Sequence, residues 1–191
     1  MIRIMVVNNL DRKTNNDLEF VRSLLDWCRD RHWRMVLYGG YGLDAYFGKM
    51  SRSHGDIDVV VYGQASRREA TRQLKSRIRS LRPNVTIRQS ENLFQQELDA
   101  KGPGFYLNLY YVQTASNPFI SLQSVVKSDG ETVTNDSIAF PPPEKGELEG
   151  MTLEVQNQHA HLQDILQKGG RDNPKYVNDL KLLSTLPSPN I

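Results

Sequence analysis

Two carboxylates separated by one apolar residue, Asp56-Ile57-Asp58, stand in the stretch VLYGGYGLDAYFGKMSRSHGDIDVVV over residues 36–61. Alternate residues of a strand face the same side, so Asp56 and Asp58 are expected to project together while Ile57 enters the core. Carboxylates this close repel each other unless a cation lies between them or one is protonated. Hard oxygen ligands next to phosphate favour magnesium. Upstream, an apolar run ends in Gly39-Gly40 and a helical pattern follows at once. Glycine lets backbone N–H groups approach an anion closely, and a helix N-terminus favours phosphate. The spacing therefore joins a phosphate cradle to a metal site on adjacent strands, a combination suited to in-line phosphoryl displacement.

The elements needed to hold these residues can be read from periodicity. Leu18, Val21, Leu24, Leu25 and Cys28 share one face of a helix expected over 15–32, with Asn16 and Glu19 at capping-box spacing. Strands are expected at 34–38 and 57–62, the second apolar enough to be central, with a short helix from Gly42 to about Phe47 between them. A second amphipathic helix over 66–81 buries Ala70, Leu74, Ile78 and Leu81 and carries six Arg or Lys residues largely elsewhere, most simply a solvated face. Strands follow at 84–88, 92–99 and 104–112, the last two joined by Gly102-Pro103-Gly104. Residues 114–150 carry many turn-forming types, and two closing helices are expected at 151–168 and 174–183.

The chain of 191 residues, 38% hydrophobic and 24% charged, suits one globular domain with a small appendage. A net charge of +2 supplies no global field for nucleic acid. The single cysteine, Cys28, allows neither an internal disulfide nor a zinc cluster of thiols and reads as a buried thiol. No apolar run approaches the length that spans a bilayer, and the N-terminus lacks a signal-peptide pattern, so a soluble cytoplasmic protein is expected.

The residues Gly39, Gly40, Tyr41, Gly42, Leu43, Asp44, then Gly48-Lys49, then Arg52, His54, Asp56, Ile57 and Asp58 resemble the pattern of the small antibiotic nucleotidyltransferases, the lincosamide and aminoglycoside 2″-O-adenylyltransferases. Lys168, Arg171, Asp172 and Asp179-Leu180 are similar, more loosely, to that family's C-terminal helix entry. The resemblance implies an α/β nucleotidyltransferase fold, a mixed sheet flanked by helices. It places a nucleotidyltransferase domain at 1–145 and a C-terminal helical segment, packed on the same domain, at 146–191. It implies magnesium on Asp56 and Asp58, a nucleoside triphosphate (ATP by analogy) held by Gly39 and Gly40, and Arg52 and His54 either beside the phosphates or ordering the metal loop. Asp44 would brace the turn.

The implied activity is transfer of a nucleoside monophosphate to a hydroxyl of an aminoglycoside- or lincosamide-like molecule. In the same fold, a toxin-type enzyme acting on RNA or protein is an alternative, for which the basic helix is the one supporting feature. Glu144, Glu147, Glu149 and Glu154 could line an acidic groove or be solvated acids, and Tyr106, Tyr110 and Tyr111 could stack on an acceptor or pack the core. A domain this small is also compatible with a site shared across a homodimer.

The sequence departs from that family at one position. Where the family carries a third carboxylate, the strand Phe105-Tyr106-Leu107-Asn108-Leu109-Tyr110 has Asn108, and an amide cannot serve as a general base. Three readings stay open. Glu97, or after it Asp99, supplies the carboxylate from the neighbouring strand; or positioning and metal charge suffice without a strong base; or the chain binds nucleotide and turns over little.

Overall fold

A computed structural model of the chain describes residues 11–91, 95–114, 124–126, 132–134, 142–167 and 176–186. Its centre is a seven-stranded mixed sheet. The strands are β1 (Arg34–Tyr38), β2 (Ile57–Gly63), β3 (Thr86–Glu91), β4 (Gln95–Gly102), β5 (Phe105–Gln113), β8 (Glu144–Leu148) and β9 (Met151–Val155). They run in the order β3-β4-β5-β2-β1-β9-β8, and a separate two-stranded pair joins β6 (Ser124–Val126) and β7 (Thr132–Thr134). The helices are α1 (Arg12–Arg29), α2 (Gly39–Phe47), α3 (Arg67–Leu81), α4 (Gln158–Gln167) and α5 (Val177–Leu183). Strand β2 is central, antiparallel to β1 and parallel to β5.

Period-two alternation divides the sheet into two unlike faces. Met35, Leu37, Ile57, Val59, Val61, Leu98, Ala100, Leu107, Leu109 and Tyr111 enter one core with the apolar stripes of α1 and α3. Residues of the opposite parity (Val36, Val60 and Tyr62, packed against Tyr38, Tyr110 and Val112) form a smaller cluster on the other face. Asp58 and Asn108 share the parity of that second face. Leu43 of α2 joins Ile165 of α4 and Leu183 of α5 in a third cluster, which seats the C-terminal helices against the helix that follows β1. Cys28 lies fully in the first core, where burial pushes its thiol up to about 12.

Several boundaries differ from the sequence expectation. Helix α1 starts at Arg12, because Asp11 accepts a hydrogen bond from the Thr14 N–H at 2.7 Å. Asn16 and Glu19 are therefore interior residues. Helix α2 begins at Gly39, so both glycines belong to its first turn rather than preceding it. Residues 151–155 are strand β9, where a helix over 151–168 was expected. Met151, Leu153 and Val155 are buried and alternate with Thr152 and Glu154, the period of a strand. Glu149 and Gly150, with φ of 47° and 72°, make the tight turn from β8, a pair of left-handed residues suited to a two-residue hairpin. The boundary expected at 145 thus falls inside β8, and the hairpin completes the sheet beside β1. Lys168, Arg171 and Asp172 lie outside the described residues.

Several cations in and just after α3 are used within the fold. Arg72 binds Glu69 at 2.7 Å, Arg77 reaches the Ser23 carbonyl at 2.9 Å, Lys75 donates to Gln89, and Arg82, which caps the helix, donates to the Asn16 carbonyl. The helix packs by Ala70, Leu74 and Ile78 on the core face, opposite the face of Asp58.

Candidate active site

The site forms where β1 gives way to α2 and β2 begins. Asp58, the second residue of β2, pairs with Tyr38 on β1 and with Asn108 on β5. The Asn108 amide donates Nδ2–H to Asp58 Oδ1 at 2.7 Å, which fixes that carboxylate oxygen. The other oxygen, Oδ2, lies under Gly39: a Cβ built on Gly39 would stand 2.4 Å from it. Gly39 also has φ +60°, so both conformation and space call for glycine there. Asp56 precedes β2 by one residue and, like Asp58, is half-buried. The N–H of Gly39 donates to Gln156 Oε1 at 3.3 Å, so Gln156, just after β9, shares in holding the start of α2.

Gly40 serves a second close approach. A Cβ there would stand 2.2 Å from His54 Nδ1. The His54 ring is buried, packs against Tyr41 in a tilted arrangement with centroids 4.5 Å apart, and places Nε2 2.7 Å from Asp44 Oδ2. Asp44 Oδ2 also accepts the Ser51 N–H at 3.1 Å. From the other side, Lys13 donates to Asp17 Oδ2 and to the His54 carbonyl, each at 2.6 Å, and the Tyr41 hydroxyl donates to the same Asp17 oxygen at 2.9 Å. Burial and the neighbouring Asp17 raise the Tyr41 hydroxyl far above its ordinary value, keeping it a donor. The loop carrying Asp56 is thereby anchored to α1 and α2 by a polar chain that runs from Lys13 to Asp44. Lys13 and Asp17 gave no reason for notice in the sequence beyond one: Asp17 falls on the same helical stripe as Val21, Leu24 and Cys28, where a charge must find a partner.

Arg52 faces away from this chain of bonds. Its Nη2 contacts both oxygens of the buried Asp179 on α5, at 3.0 and 3.1 Å. The guanidinium therefore ties the loop to the C-terminal helix. Arg52→Ala is expected to leave the Asp179 carboxylate buried and unpaired, at a cost of about 1–3 kcal/mol. Faster amide hydrogen exchange across residues 177–183, with exchange in α1 unchanged, is the accompanying sign.

The acids of β4 complete the second face. Asp99 stands directly opposite Asn108, and Glu97 opposite Tyr110. Glu97 accepts from the Ser90 hydroxyl at 2.6 Å. Tyr110 hydrogen-bonds Glu97, and its hydroxyl is driven up by burial and by the acids Glu97, Asp58 and Asp99. Tyr111 has the opposite parity: it is buried in the main core and donates to the Ala65 carbonyl at 2.7 Å. The four C-terminal acids do not gather into one groove. Glu144 accepts the Gln158 N–H at 2.9 Å, Glu154 pairs with Arg34 at 2.8 Å, and Glu149 sits in the hairpin turn. Among the described residues no group of three or more His, Cys, Asp or Glu converges as a metal cluster; Asp56 and Asp58 are both half-buried where β2 begins.

Residues 20–100, which contain this loop and both carboxylates, match the family model for aminoglycoside-2''-adenylyltransferase. The chain resembles the small antibiotic nucleotidyltransferases. Among solved structures it is similar to ANT(2'')-Ia in complex with adenylyl-2''-tobramycin, at 19% identity and a TM-score of 0.59, with 88% of each chain covered. It is similar also to the lincomycin-bound lincosamide antibiotic adenylyltransferase LnuA, at 18% identity and a TM-score of 0.61, covering 88% of this chain and 97% of that one. A solution structure of ANT(2'')-Ia gives the same TM-score of 0.61. At these identities the likeness is one of fold, a nucleotidyltransferase-like mixed sheet with flanking helices. A search of curated proteins gives no match.

Proposed function

We propose that the chain is a magnesium-dependent nucleotidyltransferase that moves a nucleoside monophosphate from a triphosphate, ATP by analogy with its relatives, to a hydroxyl of a small antibiotic-like molecule. One observation carries the reading. Asp58 Oδ2 lies beneath a glycine whose missing side chain keeps the space above the carboxylate open, within the segment that matches the adenylyltransferase family. The donors fit a hard divalent cation, since Asp56 and Asp58 offer carboxylate oxygens. When bound, the cation would neutralise charge on the phosphates and polarise the α-phosphoryl group.

The protein's own residues do the positioning. The first turn of α2, whose N–H groups no helical carbonyl can reach, begins with Gly39 against Asp58 Oδ2 and would receive the phosphates there. Asn108 holds Asp58 in one orientation. His54, Asp44, Tyr41, Asp17 and Lys13 hold the Asp56 loop, and Arg52 holds its outer edge. In the reaction, the acceptor oxygen forms a bond to the α-phosphorus, the α–β phosphoanhydride bond breaks, and pyrophosphate leaves.

The acceptor would lie on the second face of the sheet. There the half-buried Tyr38 and Tyr110 provide apolar surface, and Glu97 and Asp99 provide negative charge. Aromatic and acidic groups together suit a polyhydroxylated or cationic small molecule. A nucleic-acid acceptor is disfavoured, because the basic helix α3 packs on the other face.

Incubation with magnesium, each of the four ribonucleoside triphosphates and a panel of aminoglycosides and lincosamides, read by mass spectrometry, tests the proposal. A product heavier by one nucleoside monophosphate, formed with release of pyrophosphate, is expected. One observation favours a second reading, a nucleotide binder of little turnover: an amide, Asn108, occupies the place of the third carboxylate. Tight magnesium–nucleotide binding with no product from any pairing would select it.

A further inference from the structure

We infer that Asp99 is the general base of the transfer, the carboxylate function having moved one strand outward from Asn108; this rests on the nucleotidyltransferase reading above. The register is the reason. Asp58 on β2, Asn108 on β5 and Asp99 on β4 are successive partners across three adjacent strands. All three have the parity of the second sheet face, opposite Ile57, Leu107, Leu98 and Ala100, which are buried in the main core. Directly opposed residues bring their Cβ atoms to within about 5 Å, whereas diagonal neighbours stand about 7–8 Å apart. Asp99 is thus the carboxylate in line with Asn108 and Asp58, and Glu97 lies one row further along, opposite Tyr110.

Asn108 itself separates the two acids. Its Nδ2 is committed to Asp58 at 2.7 Å, so its carbonyl oxygen turns away from Asp58. Two strand spacings, about 9–10 Å, divide the Asp58 and Asp99 backbones. A hydroxyl at hydrogen-bond distance from Asp99 and at attack distance from phosphorus occupies about 6 Å of that span. The remainder is left to the phosphate oxygens beside Asp58.

The surroundings of the two candidate bases differ in the same sense. Glu97 is held by the Ser90 hydroxyl at 2.6 Å and by Tyr110, so its carboxylate is already engaged by two donors. Asp99 is pushed above the ordinary carboxylate range by burial and by the charge of Glu97, against the pull of Arg88, its partner on β3. A raised carboxylate is the better proton acceptor at neutral pH. In the step, the acceptor hydroxyl gives its proton to an Asp99 oxygen as its own oxygen bonds to the α-phosphorus. The electron pair of the broken α–β bond leaves with pyrophosphate.

The test uses the full chain with magnesium, ATP and the acceptor panel that includes tobramycin and lincomycin, and it measures turnover and ATP-analogue binding separately. Asp99→Asn is expected to lower kcat by about 100-fold or more, the usual worth of a general base. Its magnesium–nucleotide affinity should stay within about threefold of wild type by the logic of an interaction made only in the transition state. Asn108→Asp introduced into the Asp99→Asn chain should recover turnover, which a merely structural role for Asp99 would not produce.

Wild-type kcat in Asp99→Asn, with activity still abolished in Asp58→Asn, overturns the assignment of Asp99 while leaving the transferase reading intact. Wild-type nucleotide affinity in Asp58→Asn overturns that reading instead. A chain that binds magnesium–ATP yet transfers to no acceptor overturns the Asp99 proposal in favour of a binder without a base.

Discussion

Asp58→Asn is expected to remove magnesium-dependent nucleotide binding while leaving the fold intact. The substitution keeps the shape of the side chain, and the introduced amide oxygen can still accept from Asn108 Nδ2 where Asp58 Oδ1 now does. Removing one of two neighbouring carboxylates also relieves their mutual repulsion in the absence of metal. The free energy of unfolding should therefore change by no more than about 0.5 kcal/mol, the range of substitutions that disturb no packing. Binding should respond very differently. Losing a group that merely orients a metal ligand already costs 10- to 100-fold, so loss of a charged ligand should weaken magnesium–nucleotide affinity by at least about 100-fold. Isothermal titration with magnesium and a non-hydrolysable ATP analogue, beside a urea melt, reads both quantities. Unchanged affinity would remove Asp58 from the ligand set.

Gly40→Ala should act in the opposite way, through stability first. The added Cβ would come to 2.2 Å from Nδ1 and 2.4 Å from Cε1 of His54. That ring cannot swing aside freely, because it is buried, packed against Tyr41 and bonded to Asp44. Displacing it leaves Asp44 buried with the Ser51 N–H as its remaining hydrogen bond. A loss of about 2–4 kcal/mol is expected from breaking a buried charged contact. For a chain of this size that corresponds to a melting temperature lower by roughly 5–15 °C. Gly39→Ala offers the contrast. Its Cβ would meet Oδ2 at the far end of the half-buried Asp58 side chain rather than a buried ring, so the stability cost should stay near the roughly 1–2 kcal/mol of the positive φ. Its effect should fall on nucleotide binding. Equal destabilisation by the two alanines, measured by thermal unfolding, would contradict this division of roles.

Much of the architecture was legible because it depends on short-range pattern. The apolar stripe of α1, the strand–glycine–helix succession at 34–47 and the buried parity of β2 follow from periodicity within a dozen residues. Strand β9 was misread because Met151 and Val155 also satisfy helical spacing. The left-handed Glu149-Gly150 pair that turns the chain into a hairpin was the signal that would have decided it.

The candidate site divides along the same line. Local sequence marked the candidates for chemistry: Asp56 and Asp58 around a buried Ile57, the glycines before them, and an amide where a third acid was expected. Only the tertiary structure decided what those residues touch. That Gly39 and Gly40 make room for Asp58 and His54, that Arg52 is spent on Asp179, and that Asp99 stands in line with Asn108 and Asp58 all depend on strand register and helix docking. A shift of register by one residue would reverse every side chain across the sheet. Contacts such as Asn108 to Asp58 and Arg52 to Asp179, 50 and 127 positions apart, are selected by the packing of the whole core, and no local pattern in the chain encodes them.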